Sequence, residues 1–495
     1  MVALQDACGN LLQSPSNDPP SPAVRSNTDY APLPSFALDK QRSYKQQYGD
    51  MYFLRLTKLR PFVDEAASKA WRGTIIGGEE ARRVDRVLDV RQGELCWVSG
   101  TVYMDMPLKP NILDDVSKDR WISAPVSTQR YYSDEEADQI MLEDDSGRVR
   151  LVGEMARSVP LVTGCIVAVM GTENSSGEFE VLDIKFPDFA PQPSRWELTK
   201  KAEAVETSSS PLIALVSGLG FSSVDASHSL ELSLLREFLL GESLSSSAQV
   251  QASRISRLII AGDSVSDKPP EIEQGDKATS GNKLKSAAKK YGYDASAYNP
   301  LPSQLLDEFL AELLPSMPVT LMPGSRDPAN ASYPQQPMHL AMFPRARCFG
   351  PDSSSSSSHG WLDNVTNPFE AEVAGWRVLA TSGQNVDDVF KYTESNDRLG
   401  MMEAMCRWRC SAPTAPDTLW SYPFQEEDPF VMKACPHIYL VGCQPDFSTK
   451  LVHGPQGQTV RLITLPSFVE TKELALLDTE TLEVTRVKIE VDLSR

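Results

Sequence analysis

Four short apolar runs in this chain each end in a turn whose side chains could do chemistry. The turns read Ser217-Gly218-Leu219, Gly262-Asp263-Ser264-Val265-Ser266-Asp267, Gly324-Ser325-Arg326-Asp327 and Gly442-Cys443-Gln444-Pro445. An apolar run that stops at glycine and polar residues predicts a strand buried on both faces, and in α/β proteins ligands gather outside the carboxyl ends of such strands. If the turns meet, they bring together three carboxylates, a guanidinium, a thiol and hydroxyls. Carboxylates could hold a cation, but a transition metal also wants imidazole or amide partners. Arg326 sets a fixed positive charge in the same place, so an ion pair between Arg326 and Asp263 or Asp327 is the expected content.

Other catalytic patterns are absent. No GxSxG, GxxxxGK[ST], HExxH or GxGxxG occurs, and the five His, at 228, 339, 359, 437 and 453, do not cluster. Ser217 follows a buried strand, but VSGLGF lacks the glycine two residues earlier that a nucleophile elbow needs. His437 precedes an apolar strand and reads as a structural hydrogen-bonder. The eight Cys show no CxxC; Cys406 and Cys410 are one helical turn apart without two further ligands nearby, so ordinary buried thiols are expected. Cysteines this sparse fit a reducing compartment.

The elements that must carry the four turns follow from periodicity. Residues 1–36 are rich in Ser, Pro, Asn and Asp and read as a disordered tail. Residues 37–87 read as a helical segment, with Pro61 separating one helix from a second at 63–71. Residues 88–195 change to short Val-, Ile- and aromatic-rich runs broken by DDSG and ENSSG turns, which predicts a small closed β-barrel such as an OB-fold, against a meander or sandwich. A polar stretch containing KKAEAVETSSS marks a boundary. From 205 to 495 buried strands alternate with helices, an α/β layered domain with two sheets, interrupted by disordered insertions at 265–300 and 350–360, the latter holding Ser353 to Ser358. The fold class is thus α+β/mixed.

The 495 residues are enough for two or three folded units, and 41% hydrophobic content excludes wholesale disorder. A formal charge of −19 disfavours tight, sequence-independent nucleic-acid binding. The barrel stretch 88–190 alone carries 19 Asp or Glu against 9 Lys or Arg, a balance of −10. Trp97, Tyr103 and Tyr132 are therefore expected in cores or protein contacts, because stacking platforms for single strands need nearby cations. The basic cluster Lys283, Lys285, Lys289 and Lys290 lies in the first insertion and reads as a solvated loop, with nuclear import or DNA contact as alternatives. The first thirty residues lack a signal-peptide pattern and no run of 18 apolar residues follows, so a soluble intracellular chain is expected.

The order and spacing of the four turns resemble the calcineurin-like, metal-dependent phosphodiesterase superfamily, whose strand ends carry Asp-x-His, Gly-Asp-x-x-Asp, Gly-Asn-His-Asp/Glu and Gly-His-x-His around two metal ions about 3.5–4 Å apart. By that resemblance Ser217 and Leu219 stand where Asp and His would bind, Ser325 and Arg326 replace Asn and His, and Cys443 and Pro445 replace the last two His. Asp263 and Asp327 keep their places. The resemblance thus implies a vestigial, inactive phosphodiesterase pocket with no catalytic residue, metal or cofactor.

The pairing of an OB-like barrel with such a domain resembles the B-subunits of replicative DNA polymerases. Over residues from about Ser43 to the C-terminus it is most similar to the small (second) subunit family of eukaryotic DNA polymerase delta. The segments TNPFEAEVAGWRVLATSGQNVDDVFKY, SAPTAPDTLWSYPF, DPFVMKACPHIYLVGCQPDF, VSGLGF, MPGSRDPAN and YPQQPMHLAMFP carry it. The resemblance implies a non-catalytic scaffold in the nucleus that binds the cysteine-rich C-terminal domain of the polymerase delta catalytic subunit and the third subunit. It meets DNA only through the complex and no membrane. Two other readings compete with it: an active metal-dependent phosphodiesterase or nuclease with atypical ligands, and a free single-strand DNA-binding OB protein.

Overall fold

The computed structural model describes residues 23–39, 48–110, 130–133, 138–195, 210–242, 246–266, 299–351 and 360–491. The basic cluster at 283–290, the serine run at 353–358 and most of the polar stretch before 210 fall outside them.

Helix α1 (Gly49–Trp71) places Leu56, Leu59, Val63, Ala67 and Trp71 three or four residues apart, which aligns them in one buried stripe. The stripe packs on the outside of the barrel against Leu95, Trp97, Ile166, Ala168 and Met170. Pro61 does not divide this helix, contrary to expectation: it lies inside a single 23-residue helix, on the exposed side. A proline there costs about 3 kcal/mol, less than the return from burying four large side chains at about 1.5–3 kcal/mol each. Beyond α1 the expected helical segment gives way to a small hairpin, β2 (Ile75–Ile76) with β3 (Glu79–Glu80), and to β4 (Arg82–Arg83), which pairs with the first barrel strand.

The barrel consists of β5 (Cys96–Asp105), β6 (Gln139–Glu143), β7 (Arg148–Val152), β8 (Ile166–Glu173) and β9 (Glu178–Lys185) in the order β5-β6-β7-β9-β8, with β8 returning to β5 to close it. Ten-residue β5 makes the closure possible: Cys96–Thr101 pairs with β8, and Thr101–Asp105 pairs with β6. This is the five-stranded Greek-key barrel of OB type. Helix α2 (Glu154–Ser158) connects β7 to the rest. Trp97 is buried and packs on Trp71 with ring centroids 5.7 Å apart, so it offers no stacking face to a nucleic acid.

Two six-stranded sheets build the remainder. One has the order β13-β12-β11-β10-β19-β20, from β10 (Leu212–Val216), β11 (Ile255–Ala261), β12 (Val319–Met322), β13 (Leu362–Asn364), β19 (Glu473–Asp478) and β20 (Val484–Lys488). The other runs β1-β14-β15-β16-β18-β17, from β1 (Tyr30–Leu33), β14 (Phe369–Val373), β15 (Trp376–Thr381), β16 (Ile438–Gln444), β17 (Ser448–His453) and β18 (Thr459–Pro466). Ile213, Leu215, Ile259 and Ala261 of the first sheet meet Val378, Ala380, Ile438 and Leu440 of the second. The alternate residues Ala214, Val216, Leu258 and Ile260 pack on helices α3 (Ser229–Leu240) and α5 (Leu301–Leu313). Covered on both faces, β10 and the run Leu258–Ala261 of β11 are apolar without alternation, and the buried Ser256 and Arg257 at the start of β11 are the exceptions. A short helix α4 (Ser246–Ser253) precedes β11, α6 (Gln384–Tyr392) and α7 (Arg398–Arg407) cover the second sheet, and α8 (Phe468–Thr471) follows β18.

The expectation of a disordered tail over 1–36 needs correcting for its last part. Tyr30–Leu33 pairs antiparallel with Phe369–Val373, and Tyr30 and Phe36 are buried. A segment with Pro32 has little strand propensity of its own; a sheet edge supplies the order, and proline is tolerated there because the outward N–H is not needed. The expected first insertion also begins later than 265, since Val265 is buried and bonded into the strand-end turns.

Barrel and sheets do not keep separate cores. Val102, Leu142 and Phe189 belong to one apolar cluster with Met402, Met405 and Cys406 of α7 and Tyr439 and Val441 of β16. Across the same junction the fully buried Arg55 of α1 pairs with Asp428 at 2.8 Å and donates to the Pro413 carbonyl at 2.6 Å. Removing one partner strands the other charge in the interior, so Arg55→Ala should cost about 3–5 kcal/mol in urea unfolding. Arg82→Ala, whose partner Glu94 is 3.0 Å away with both side chains exposed, should cost under about 1 kcal/mol. Equal losses would contradict the buried pair as the fastener.

Candidate functional site: the strand-end turns

The turns after β10, β11, β12 and β16 meet at the carboxyl ends of the two sheets. Ser217, fully buried, accepts the Cys443 N–H at 3.0 Å and donates to the Pro466 carbonyl at 3.0 Å. It thereby ties β10 to β16 and β18, and its hydroxyl is spent on backbone. Leu219 points away into the apolar cluster under α3 and α5. Pro445 lines a neighbouring groove of 410 Å³ with Phe390, Arg398 and Thr464.

Asp263, Ser325, Arg326 and Asp327 do come together. Asp263 adopts φ 52° and accepts the Arg326 N–H at 2.9 Å and the Ser325 hydroxyl at 3.3 Å. The Arg326 guanidinium lies 3.7 Å from its other oxygen, so the ion pair expected from sequence is present, though half-exposed on the arginine side. Asp327 is buried, and each oxygen takes one backbone donor: Val265 N–H at 2.8 Å and Gly324 N–H at 2.7 Å. There is no slack here. A Cβ on Gly324 would sit 2.3 Å from the Asp263 amide nitrogen, and one on Gly442 would sit 2.1 Å from the Ala261 carbonyl oxygen.

The electrostatics follow from burial. Desolvation pushes the Asp263 carboxyl up, while the Arg326 N–H and guanidinium, the Ser325 hydroxyl and the Cys443 thiol pull it back. Desolvation and the neighbouring Asp263 charge raise Asp327 well above the usual carboxylate range, against the pull of its backbone donors. Burial, then the charges of Asp263, Asp327 and Asp387, lift the Cys443 thiol, which makes it a poor nucleophile.

A dinuclear metal centre does not fit this donor set. No imidazole is present, both Asp327 oxygens are engaged, Asp263 is shared with a guanidinium, and the thiol favours its protonated form. Among the described residues no three His, Cys, Asp or Glu side chains converge in a way that could hold a metal ion.

Sequence reasoning missed the polar network that braces the turns. Asn367 Nδ2, with two hydrogens to donate, lies 2.8 Å from Gln335 Oε1, 2.6 Å from Ser382 Oγ and 2.9 Å from Gln384 Oε1, and Gln335 Nε2 donates to the Gly324 carbonyl at 3.1 Å. All these amides and hydroxyls lie in TNPFE, ATSGQ and YPQQP, within segments already distinctive as text, but amides match no catalytic pattern. His437, by contrast, behaves as expected: its Nδ1 accepts the Arg377 N–H at 3.1 Å, and burial lowers its pKa.

The model of the DNA polymerase alpha/epsilon B-subunit family matches residues 213–449, and that of the DNA polymerase delta subunit OB-fold domain matches residues 47–184. The chain is 36% identical over 477 residues to the DNA polymerase delta small subunit of Saccharomyces cerevisiae, covering 91% of each. It is 34% identical over 448 residues to that of Arabidopsis thaliana, covering 90% of this chain and 92% of the relative. Identity to DNA polymerase delta subunit 2 of Drosophila melanogaster is 33% over 472 residues, 94% of this chain and 99% of the relative. The chain belongs to the family of DNA polymerase delta small subunits.

The shared charge gives a pH signature. Because the folded pair holds a proton at pH values where the unfolded carboxyls have lost it, its contribution to stability is greatest at the acid end of that window and is lost as pH rises through the raised native value. Asp263→Asn removes the repulsion on Asp327. The melting-temperature gap between variant and wild type should therefore widen in the variant's favour from about pH 5 to about pH 8; a constant gap would show that the two carboxyls do not share charge.

Proposed function

We propose that this chain is a non-catalytic accessory subunit of DNA polymerase delta, acting in nuclear DNA replication and repair. In this reading it bridges the cysteine-rich C-terminal domain of the catalytic subunit and the third subunit, and meets DNA only through the complex. The domain division read from sequence, a barrel unit over 88–195 and a phosphodiesterase-like unit over 205–495, belongs to the same proposal. So does the description of Ser217, Leu219, Asp263, Ser325, Arg326, Asp327, Cys443 and Pro445 as a disarmed pocket.

One observation carries the proposal: at the strand ends where a hydrolase would keep metal ligands, both Asp327 oxygens accept backbone N–H groups and Asp263 accepts the Arg326 N–H beside its guanidinium. Such a network fixes the relative position of two sheets, and a fixed body suits an assembly role. Family membership supplies the polymerase context. The acidic barrel surface supports contact with DNA through partners rather than alone.

Coexpression with the C-terminal domain of a candidate catalytic subunit should give a stoichiometric complex in size-exclusion chromatography. Asp263→Asn should leave complex formation within about twofold of wild type, since a merely structural pocket tolerates an isosteric amide. Failure to associate, or manganese-dependent hydrolysis of a nitrophenyl phosphodiester that Asp263→Ala abolishes, would overturn it.

A further inference from the structure

The segment Ala23–Asp39, read mostly as tail, is anchored to the folded body at three side chains. Arg25 donates to the Leu239 carbonyl at 2.8 Å, the Ala252 carbonyl at 3.1 Å and the Ile255 carbonyl at 2.8 Å, so one guanidinium gathers the ends of α3 and α4 and the start of β11. Carbonyls at helix ends carry partial negative charge and favour a cation. Five residues on, Tyr30 enters a polar socket. Arg257 of β11, Thr320 of β12 and Asp363 of β13 are all buried, and Arg257 donates to Thr320 at 2.9 Å. The Arg257 guanidinium lies 3.6 Å from the centroid of the Tyr30 ring, and the Tyr30 hydroxyl bonds to the Asp363 carboxylate. Six residues further, Phe36 is buried beside Phe430, and its carbonyl accepts from Gln336 at 3.1 Å.

Backbone pairing links these anchors. Ser26 N–H reaches the Ser253 carbonyl at 2.8 Å, and Tyr30–Leu33 completes the edge of β14, with Ala374 N–H on the Asp29 carbonyl at 2.9 Å. The segment thus touches both sheets: its strand extends one and its tyrosine plugs a charged row in the other. A buried Arg on β11 and a buried Asp on β13, separated by β12, would cost several kcal/mol if left against apolar neighbours, so the socket is built for a ligand with a polar aromatic tip. Pro32 closes the outer edge against a further strand.

We infer that the folded body carries a binding site for an extended peptide, formed by the β14 edge, the Arg257–Thr320–Asp363 socket and the carbonyl cluster at Leu239, Ala252 and Ile255, and that residues 25–36 occupy it in cis. The peptide class is Arg-x4-Tyr-x5-Phe in extended conformation: strand addition supplies affinity, and the three side chains supply selectivity.

A protease cleavage site placed within residues 40–47 of the full chain tests this without asking a truncated protein to fold. After cutting under native conditions, the fragment ending near residue 40 should co-elute with the body in size-exclusion chromatography. Tyr30→Phe, which keeps the ring and removes the hydroxyl, should speed its release by roughly tenfold or more, and Arg25→Ala should also speed it. A fluorescent synthetic peptide spanning residues 23–38 should then exchange into the cut protein, and a Tyr30→Ala peptide should not. A wild-type fragment that separates from the body at once, or peptides that exchange equally with and without the tyrosine, would overturn the inference.

Discussion

Asp327 lies where the turn after β11 meets the turn after β12, and each of its oxygens closes one of them through a backbone N–H. The surrounding arrangement depends on that carboxylate staying put. It sets the Gly324 turn, which presents the Arg326 N–H to Asp263; Gln335 bonds to the Gly324 carbonyl, and Asn367 bonds to Gln335 in turn. Asn367 precedes β14 and Ser382 follows β15, so the chain of bonds runs from one sheet to the other. Buried polar networks of this kind are costly when partly satisfied and rigidifying when complete. The turns that could have held a ligand act as a clasp between sheets.

Rigidity at the strand ends is matched by rigidity elsewhere. The barrel shares an apolar cluster with α7 and β16, and Arg55 and Asp428 pin α1 to the same junction. A body without an internal hinge at these places holds any surfaces it presents at fixed separation. That property suits an accessory subunit in a polymerase assembly, and it follows from packing rather than from any reactive group.

Much of this was legible in the sequence, for identifiable reasons. The runs before Ser217 and Gly262 lack alternation because both faces of β10 and β11 are covered, and a glycine-bearing polar turn after such a run marks a strand end whatever the fold. The barrel hairpins announced themselves through DDSG and ENSSG. An ion pair of Arg326 with Asp263 or Asp327 was expected from sequence, and only the fold selects Asp263. Other features lie beyond local patterns. Tyr30–Leu33 is a strand only because β14 offers an edge, Pro61 survives in α1 only because the opposite face is buried, and Arg55 meets Asp428 across 373 positions of chain. Asn367, Gln335, Ser382 and Gln384 escaped notice because amides and hydroxyls become informative only when the fold turns them toward one another.

The central claim is that the strand-end carboxylates are already satisfied by the protein itself. Isothermal titration of manganese into the assembled complex tests it most directly. The account predicts no saturable binding at micromolar metal, with wild type and Asp327→Asn indistinguishable. Two manganese ions bound per chain, lost together in Asp327→Asn, would contradict it.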